Sequence, residues 1–94
     1  MRFVRDESKD QSNFRKHGVL FETAVEVFGD PNCVMEQDRE VDGEARWQAT
    51  GRAGGALVLI VAHTFDDEEN DEIVRISSAR MVTRRERRRD EEAH

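Results

Sequence analysis

The sequence predicts a single α+β domain spanning residues 1–94: two N-terminal helices on an antiparallel sheet of about four strands, followed by a C-terminal helix. Three observations carry this. Apolar residues recur at helical spacing in the first third of the chain, strand-like texture runs from Cys33 to about Ser78, and Thr83 and Glu86 have the spacing of a helix start. Strands that follow one another without intervening helices point to α+β rather than alternating α/β. At 94 residues the chain is short for two domains.

Phe3 and Val4 open a short strand, and Asp6 or Ser8 caps a first helix that runs to His17. Ser8 and Gln11 have capping-box spacing, and Gly18 suits the left-handed position after a helix end. Phe14 is the one large apolar residue in that helix, too little for an apolar stripe. Leu20, Phe21, Ala24, Val25 and Phe28 define a second, amphipathic helix, stopped by Gly29-Asp30-Pro31. Cys33-Val34-Met35 begins the strands, with a polar turn between Asp38 and Gly43. Ala45, Trp47 and Ala49 alternate with Arg46, Gln48 and Thr50, as on a strand with one buried face. After a Gly51–Gly55 turn, the unbroken run Leu57–Thr64 reads as a central strand covered on both faces. An acidic turn, Asp66–Glu72, leads to a fourth strand through Ile73, Val74 and Ile76, ending near Ser78. The last helix then begins at Thr83 and extends to about Glu92.

Hydrophobic residues are 36% of the chain and charged ones 38%, near the polar limit for a domain that folds alone, so a partner could supply further burial. One cysteine, Cys33, rules out an internal disulfide and suits a reducing compartment as a buried thiol. The first residues lack the apolar stretch of a signal peptide, and the longest apolar run, Ala56–Ala62, is too short to span a bilayer. A cytoplasmic protein without membrane contact is expected.

The net charge is −6, yet Asp66–Glu72 alone holds six acids and no base, so the remainder sums to zero. Between Arg75 and Arg89 stand seven arginines, Arg75, Arg80, Arg84, Arg85, Arg87, Arg88 and Arg89, against Glu86 alone. His17, His63 and His94 are too scattered for a zinc site, and the acidic segment lacks the glycine of an EF-hand loop. Neither metal nor other cofactor is expected. The Gly51–Gly55 glycines join strands and open no phosphate-binding helix, and no nucleophile elbow is present.

Arginine therefore carries the chemistry. Metal-free RNA cleavage needs the 2′-hydroxyl activated, the phosphorane charge stabilised and the leaving oxygen protonated. A guanidinium fork suits the second role. Arg80, Arg84, Arg87 and Arg88 would form one stripe along a phosphate backbone if the last helix reached back to Arg80. A solvated, charge-rich helix is the competing reading of that stripe. His63, at the polar end of the central strand, can act as acid or base near neutral pH, against the plainer role of a core histidine bonded to a carbonyl. Trp47 reads as core rather than a base-stacking platform.

Several motifs in order resemble the BrnT toxins, ribonucleases of bacterial toxin–antitoxin pairs. They are Asn13-Phe14-Arg15-Lys16-His17-Gly18-Val19, Phe21-Glu22-Thr23-Ala24, Phe28-Gly29-Asp30-Pro31, Gly51-Arg52, and Ile76-Ser77-Ser78-Ala79-Arg80 followed by Thr83-Arg84-Arg85-Glu86-Arg87-Arg88. The resemblance spans residues 3–92. It implies a RelE-like fold with helices on a curved antiparallel sheet, endoribonuclease activity that arrests translation, and neutralisation by a DNA-binding ribbon-helix-helix antitoxin in a heterotetramer. Operator DNA would be met only through that antitoxin. Lys16, Arg46, Arg52 and Arg80 match basic positions typical of the family. The expected catalytic set is Lys16, Arg52, His63 and Arg80, with Arg46, Arg75, Arg84 and Arg88 binding RNA. Departures from the pattern are Leu20 and Thr23, where the family often has a Ser and Glu capping pair, Asp90, where an aromatic is common, and a longer acidic turn. A catalytically degenerate, antitoxin-binding module and a stand-alone nucleic-acid binder are the alternatives.

Overall fold

The computed structural model describes residues 1–83, 85 and 86. Strand β1 (Arg2–Val4) precedes helix α1 (Glu7–His17), a one-turn helix α2 (Phe21–Ala24) and a 3-10 turn (Val25–Gly29). Strands β2 (Val34–Val41), β3 (Glu44–Ala53), β4 (Leu57–Glu68) and β5 (Asp71–Met81) then form a meander. The sheet order is β1-β5-β4-β3-β2, with β1 parallel to β5 and the other pairs antiparallel. The expected four-stranded antiparallel sheet is thus a five-stranded mixed one. Strand β1 joins it because Phe3, registered with Val74, turns its ring onto Phe28 at 5.2 Å. A three-residue strand has too little periodicity to show which partner it takes.

Helix α1 is capped by Asp6, whose carboxylate accepts from Ser8 N at 2.8 Å and Lys9 N at 3.2 Å, and it ends on Gly18 at φ 70°. Glu7 and Asp10 lie in its first turn and Arg15, Lys16 and His17 in its last, matching the helix dipole. Its buried residues are both polar, Asp10 and Asn13, while Phe14 is 48% exposed. Hydrogen bonds do the docking. The Asn13 Nδ2 donates to the carbonyls of Val19 and Ala79, both at 2.9 Å, and Ala79 N donates back to Asn13 Oδ1 at 3.0 Å. Strand β1 covers β5 only between Ile73 and Arg75, so past that point the Asn13 amide serves the free edge of β5 as a one-residue strand.

The second helix is not continuous from Leu20 to Phe28 but one α-turn followed by 3-10 geometry. Phe21, Ala24 and Val27 are each fully buried, and a spacing of three residues is what a 3-10 winding aligns on one face. Leu20 supplies no side-chain cap to α2; Asp10 Oδ1 accepts from Phe21 N at 2.9 Å instead, so the cap arrives from the neighbouring helix.

The core lies between these helices and the sheet, built from Phe21, Ala24, Val27, Ala49, Leu59, Val61, Val74, Ile76 and Ala79. The 3-10 turn sits close on β3 because Gly51 has no side chain: a Cβ there would meet Val27 Cγ1 at 3.0 Å and Asp30 Oδ2 at 3.1 Å. Asp30 Oδ2 also accepts from Arg52 N at 2.8 Å, and Glu26 Oε1 from Gly54 N at 3.2 Å.

Four strand boundaries differ from expectation. Strand β2 runs on to Val41, so the polar turn is Asp42 and Gly43 alone and not Asp38–Gly43. The acidic segment is not a loop: Asp66–Glu68 ends β4, Asp71 and Glu72 begin β5, and only Glu69 and Asn70 turn, both at positive φ as a two-residue hairpin requires. Strand β3 continues through Gly51 to Ala53, so the next turn is narrower than Gly51–Gly55. Strand β5 continues past Ser78 to Met81, held at its end by Val82 N donating to Val58 O at 3.0 Å, so Arg80 belongs to the sheet and not to a helical stripe. At Thr83 the expected capping box forms, with Thr83 N to Glu86 Oε1 at 2.9 Å and Glu86 N to Thr83 Oγ1 at 3.2 Å. The rest of the expected C-terminal helix lies outside the described residues.

Replacing Asn13 with Ala strands one buried N–H and two carbonyls, and should cost about 3 kcal/mol in urea unfolding. The Gly51→Ala variant, which must push the 3-10 turn off β3, should lose about 1–3 kcal/mol by the same measurement.

Candidate nucleic-acid interface

The register sorts the sheet into two faces. Trp47, Ala49 and Gly51 pair with His63, Val61 and Leu59 on the helix side, whereas Gln48, Thr50 and Arg52 pair with Ala62, Ile60 and Val58 on the other. Ile60 continues to Arg80 and Ala62 to Ser78, giving the rungs Thr50-Ile60-Arg80 and Gln48-Ala62-Ser78 on the face away from the helices. Arg52 lies one same-face step beyond Thr50, so Arg52 and Arg80 flank β4 on a diagonal, with backbones about 12 Å apart. Toward the opposite end of that face stand Arg46 on β3 and Arg75 on β5.

Arg80 is held in place. Its two terminal nitrogens donate to Glu86 Oε1 and Oε2, each at 2.8 Å, in a parallel fork. The same carboxylate closes the capping box on Thr83, so one side chain fixes both the arginine and the turn after β5. The Arg80 hydrogen bonds, followed by the Thr83 amide, pull the Glu86 carboxyl down to about 2, and Glu86 in turn raises Arg80. Glu86 is the site residue that sequence reasoning missed as such; its capping-box spacing was the available signal. Arg75 is paired with Asp66 at 3.7 Å, with both side chains about half exposed, a contact of little energetic weight. Arg52 is exposed and makes no ion pair among the described residues. Arg46 is half-buried, and its Nε has no hydrogen-bond partner among the described residues.

His63 faces the other way. It is 1% exposed on the helix side, edge-on to Phe28 at 4.9 Å and Phe65 at 4.8 Å, and its Nδ1 lies 3.1 Å from Val61 O. Contact with a carbonyl makes Nδ1 the donor, and Nε2 has no partner among the described residues. Burial lowers its pKa, the Val61 hydrogen bond opposing in part, so the neutral ring is favoured. This is the geometry of the core histidine. Trp47, half-buried, packs edge-on to Phe65 at 5.7 Å. Lys16 is exposed on α1, one turn past Asn13 and its partner Ala79, which brings it toward the β5 edge but not onto the arginine face. Arg84 and Arg88 lie outside the described residues. Cys33 is half-buried; burial first and then Asp30 push its thiol up, away from thiolate chemistry. No group of metal-ligating side chains occurs among the described residues, and none of their helices is long and apolar enough to cross a membrane.

Residues 6–86 match the family model described as the ribonuclease toxin BrnT of type II toxin–antitoxin systems. The chain belongs to the BrnT family. The crystal structure of the Brucella abortus ribonuclease toxin BrnT superposes with a TM-score of 0.68 at 25% identity, covering 89% of this chain and 99% of that one. No curated protein sequence matches. Membership in BrnT implies an RNA substrate and an antitoxin partner.

The carboxyl of Glu86 should titrate near 2 by NMR, against about 4.5 for an ordinary glutamate. A depressed carboxyl adds stability that is present above its unfolded value, so this contribution is lost as pH falls from about 4.5 toward 2. His63 should titrate below 6.5, so that acid begins to destabilise the fold just under that value as the unfolded chain takes up the proton first.

Proposed function

We propose that the chain is a cytoplasmic, metal-independent endoribonuclease that arrests translation by cutting mRNA or ribosome-associated RNA. The observation that carries this reading is the pair Arg52 and Arg80, on one sheet face with the hydroxyls of Thr50 and Ser78 and the amide of Gln48 between the basic ends. A scissile phosphate on that face meets two guanidiniums from different strands, able to stabilise a phosphorane as charge develops. Glu86 sets the Arg80 plane before substrate arrives; a phosphate competes with it for the same donors. Arg46 and Arg75 extend the track along the backbone, with Arg84 and Arg88 as further contacts. Lys16, exposed on α1 and off the arginine face, is the candidate for proton transfer, since His63, the other expected candidate, is buried on the opposite side of the sheet. A ribbon-helix-helix antitoxin would neutralise the toxin in a heterotetramer and contact operator DNA on its behalf.

Purified protein should cleave single-stranded RNA in the presence of EDTA, and Arg80→Ala should slow cleavage by about 100- to 1,000-fold. A requirement for divalent metal would overturn the mechanism. The second reading, an antitoxin-binding module without activity, is favoured by Arg75 and Arg80 both being engaged by carboxylates. Expression in a bacterial host without an antitoxin separates the two: the enzyme halts growth, whereas the binding module leaves it unchanged.

A further inference from the structure

The pairing of β3 with β4 stops at the Trp47 and His63 rung, although both strands continue. Beyond it, residues Glu44–Arg46 stay with β2 and residues Thr64–Glu68 stay with β5, so the sheet forks into two separate ribbons. Two-stranded ribbons twist more than wide sheets, and the β2 register shift between Gln37 and Arg39 adds further twist to one of them. The inner side of β4 past His63 is consequently a strand edge five residues long, Thr64–Glu68, without a pairing strand among the described residues.

The direction of its backbone groups follows from the clamp on β5. Ala79 turns its N–H and C=O outward to Asn13, so its partner Val61 directs its own toward β3. By alternation along β4, Phe65 and Asp67 direct their N–H and C=O into the fork. The side chains around it are mostly acidic: Asp66, Asp67 and Glu68 on β4, Glu69 at the tip, Asp71 and Glu72 on β5, with Asp42 and Glu44 across the fork, where Arg46 and its pair Arg39 are the basic residues. The N-terminal amine on Asp71, Arg2 on Glu68 and Arg75 on Asp66 answer three of these, each partly exposed. Asp67, Glu69, Glu72, Asp42 and Glu44 make no ion pair among the described residues.

From this we infer that the Thr64–Glu68 edge is a docking site for an extended, basic segment of a partner protein, which adds to β4 as a strand. Backbone pairing with Phe65 and Asp67 supplies the register, and alternate lysines or arginines meet the carboxylates. Charge selects the occupant. A second copy would bring the same acids to the same edge and be repelled, as would RNA, so the arginine face and this edge receive ligands of opposite sign. The inference stands apart from the proposed ribonuclease activity, since the edge shares no residue with the catalytic set.

The probe is a nine-residue peptide of alternating Arg and Val, titrated at low salt into the isotope-labelled full chain and followed by amide NMR and hydrogen exchange. Binding with new protection of the Phe65 and Asp67 amides is expected. A triple variant with Asp66→Asn, Asp67→Asn and Glu68→Gln, exposed positions that leave the core intact, should bind about tenfold more weakly. A peptide N-methylated at alternate residues keeps the charge but cannot pair, and should not bind. Equal binding of that peptide would overturn strand addition. Perturbation confined to other surfaces, no binding, or concentration-dependent protection of Phe65 and Asp67 by the chain alone would overturn the site or its occupant.

Discussion

Helix α1 is joined to the sheet through one amide. Asn13 offers a donor and an acceptor to Ala79 in the manner of a paired strand, and a second donor bond to Val19 at the start of the next segment. Through Val19 and the neighbouring Asp10 contact to Phe21 N, the same stretch of α1 sets where α2 begins, and hence how Phe21, Ala24 and Val27 enter the core. A small domain rich in charge cannot bury much apolar area per residue, so a few satisfied buried hydrogen bonds decide the geometry that the core alone leaves loose. The same logic recurs at Asp30, which ties the 3-10 turn to Arg52 while Gly51 clears the space.

This explains what could and could not be read from the sequence. The alternation in β3, the Gly18 cap and the Thr83 to Glu86 box are local patterns, and each took the form its pattern implied. The apolar run of β4 gave a central strand, but one that helices cover on a single face and not on both, with Ile60 and Ala62 half-buried on the open side. Asp10 and Asn13 are polar residues in a helix without an apolar stripe, a pattern that suits a solvated surface equally well; their partners lie up to 66 positions away. The first strand escaped notice as part of the sheet for the same reason, since it pairs in parallel with the last. The family motifs turn out to carry much of this architecture: Asn13, Asp30 and Gly51 all hold the fold.

For the site, residue type was legible and geometry was not. Four arginines spread over 35 positions come to one sheet face because strand alternation and register place them there. His63 is one residue out of phase with that face, which is enough to bury it among aromatic rings. The continuation of β5 to Met81 fixes Arg80 on the sheet, and Glu86 then reaches back from the next turn. A formally acidic protein can thus bring four arginines to one sheet face, two of them already engaged by the carboxylates of Asp66 and Glu86.

The polar attachment of α1 also bears on temperature. Burial of apolar surface raises the heat capacity of unfolding and weakens on cooling, whereas burial of polar groups acts in the opposite direction. A helix docked by Asp10 and Asn13, with Phe14 left in water, contributes little to that apolar term. On cooling, the contacts among Phe21, Leu59 and Val61 lose driving force while the amide clamp keeps its own. The edge of β5 should therefore be the part of the molecule whose stability varies least with temperature.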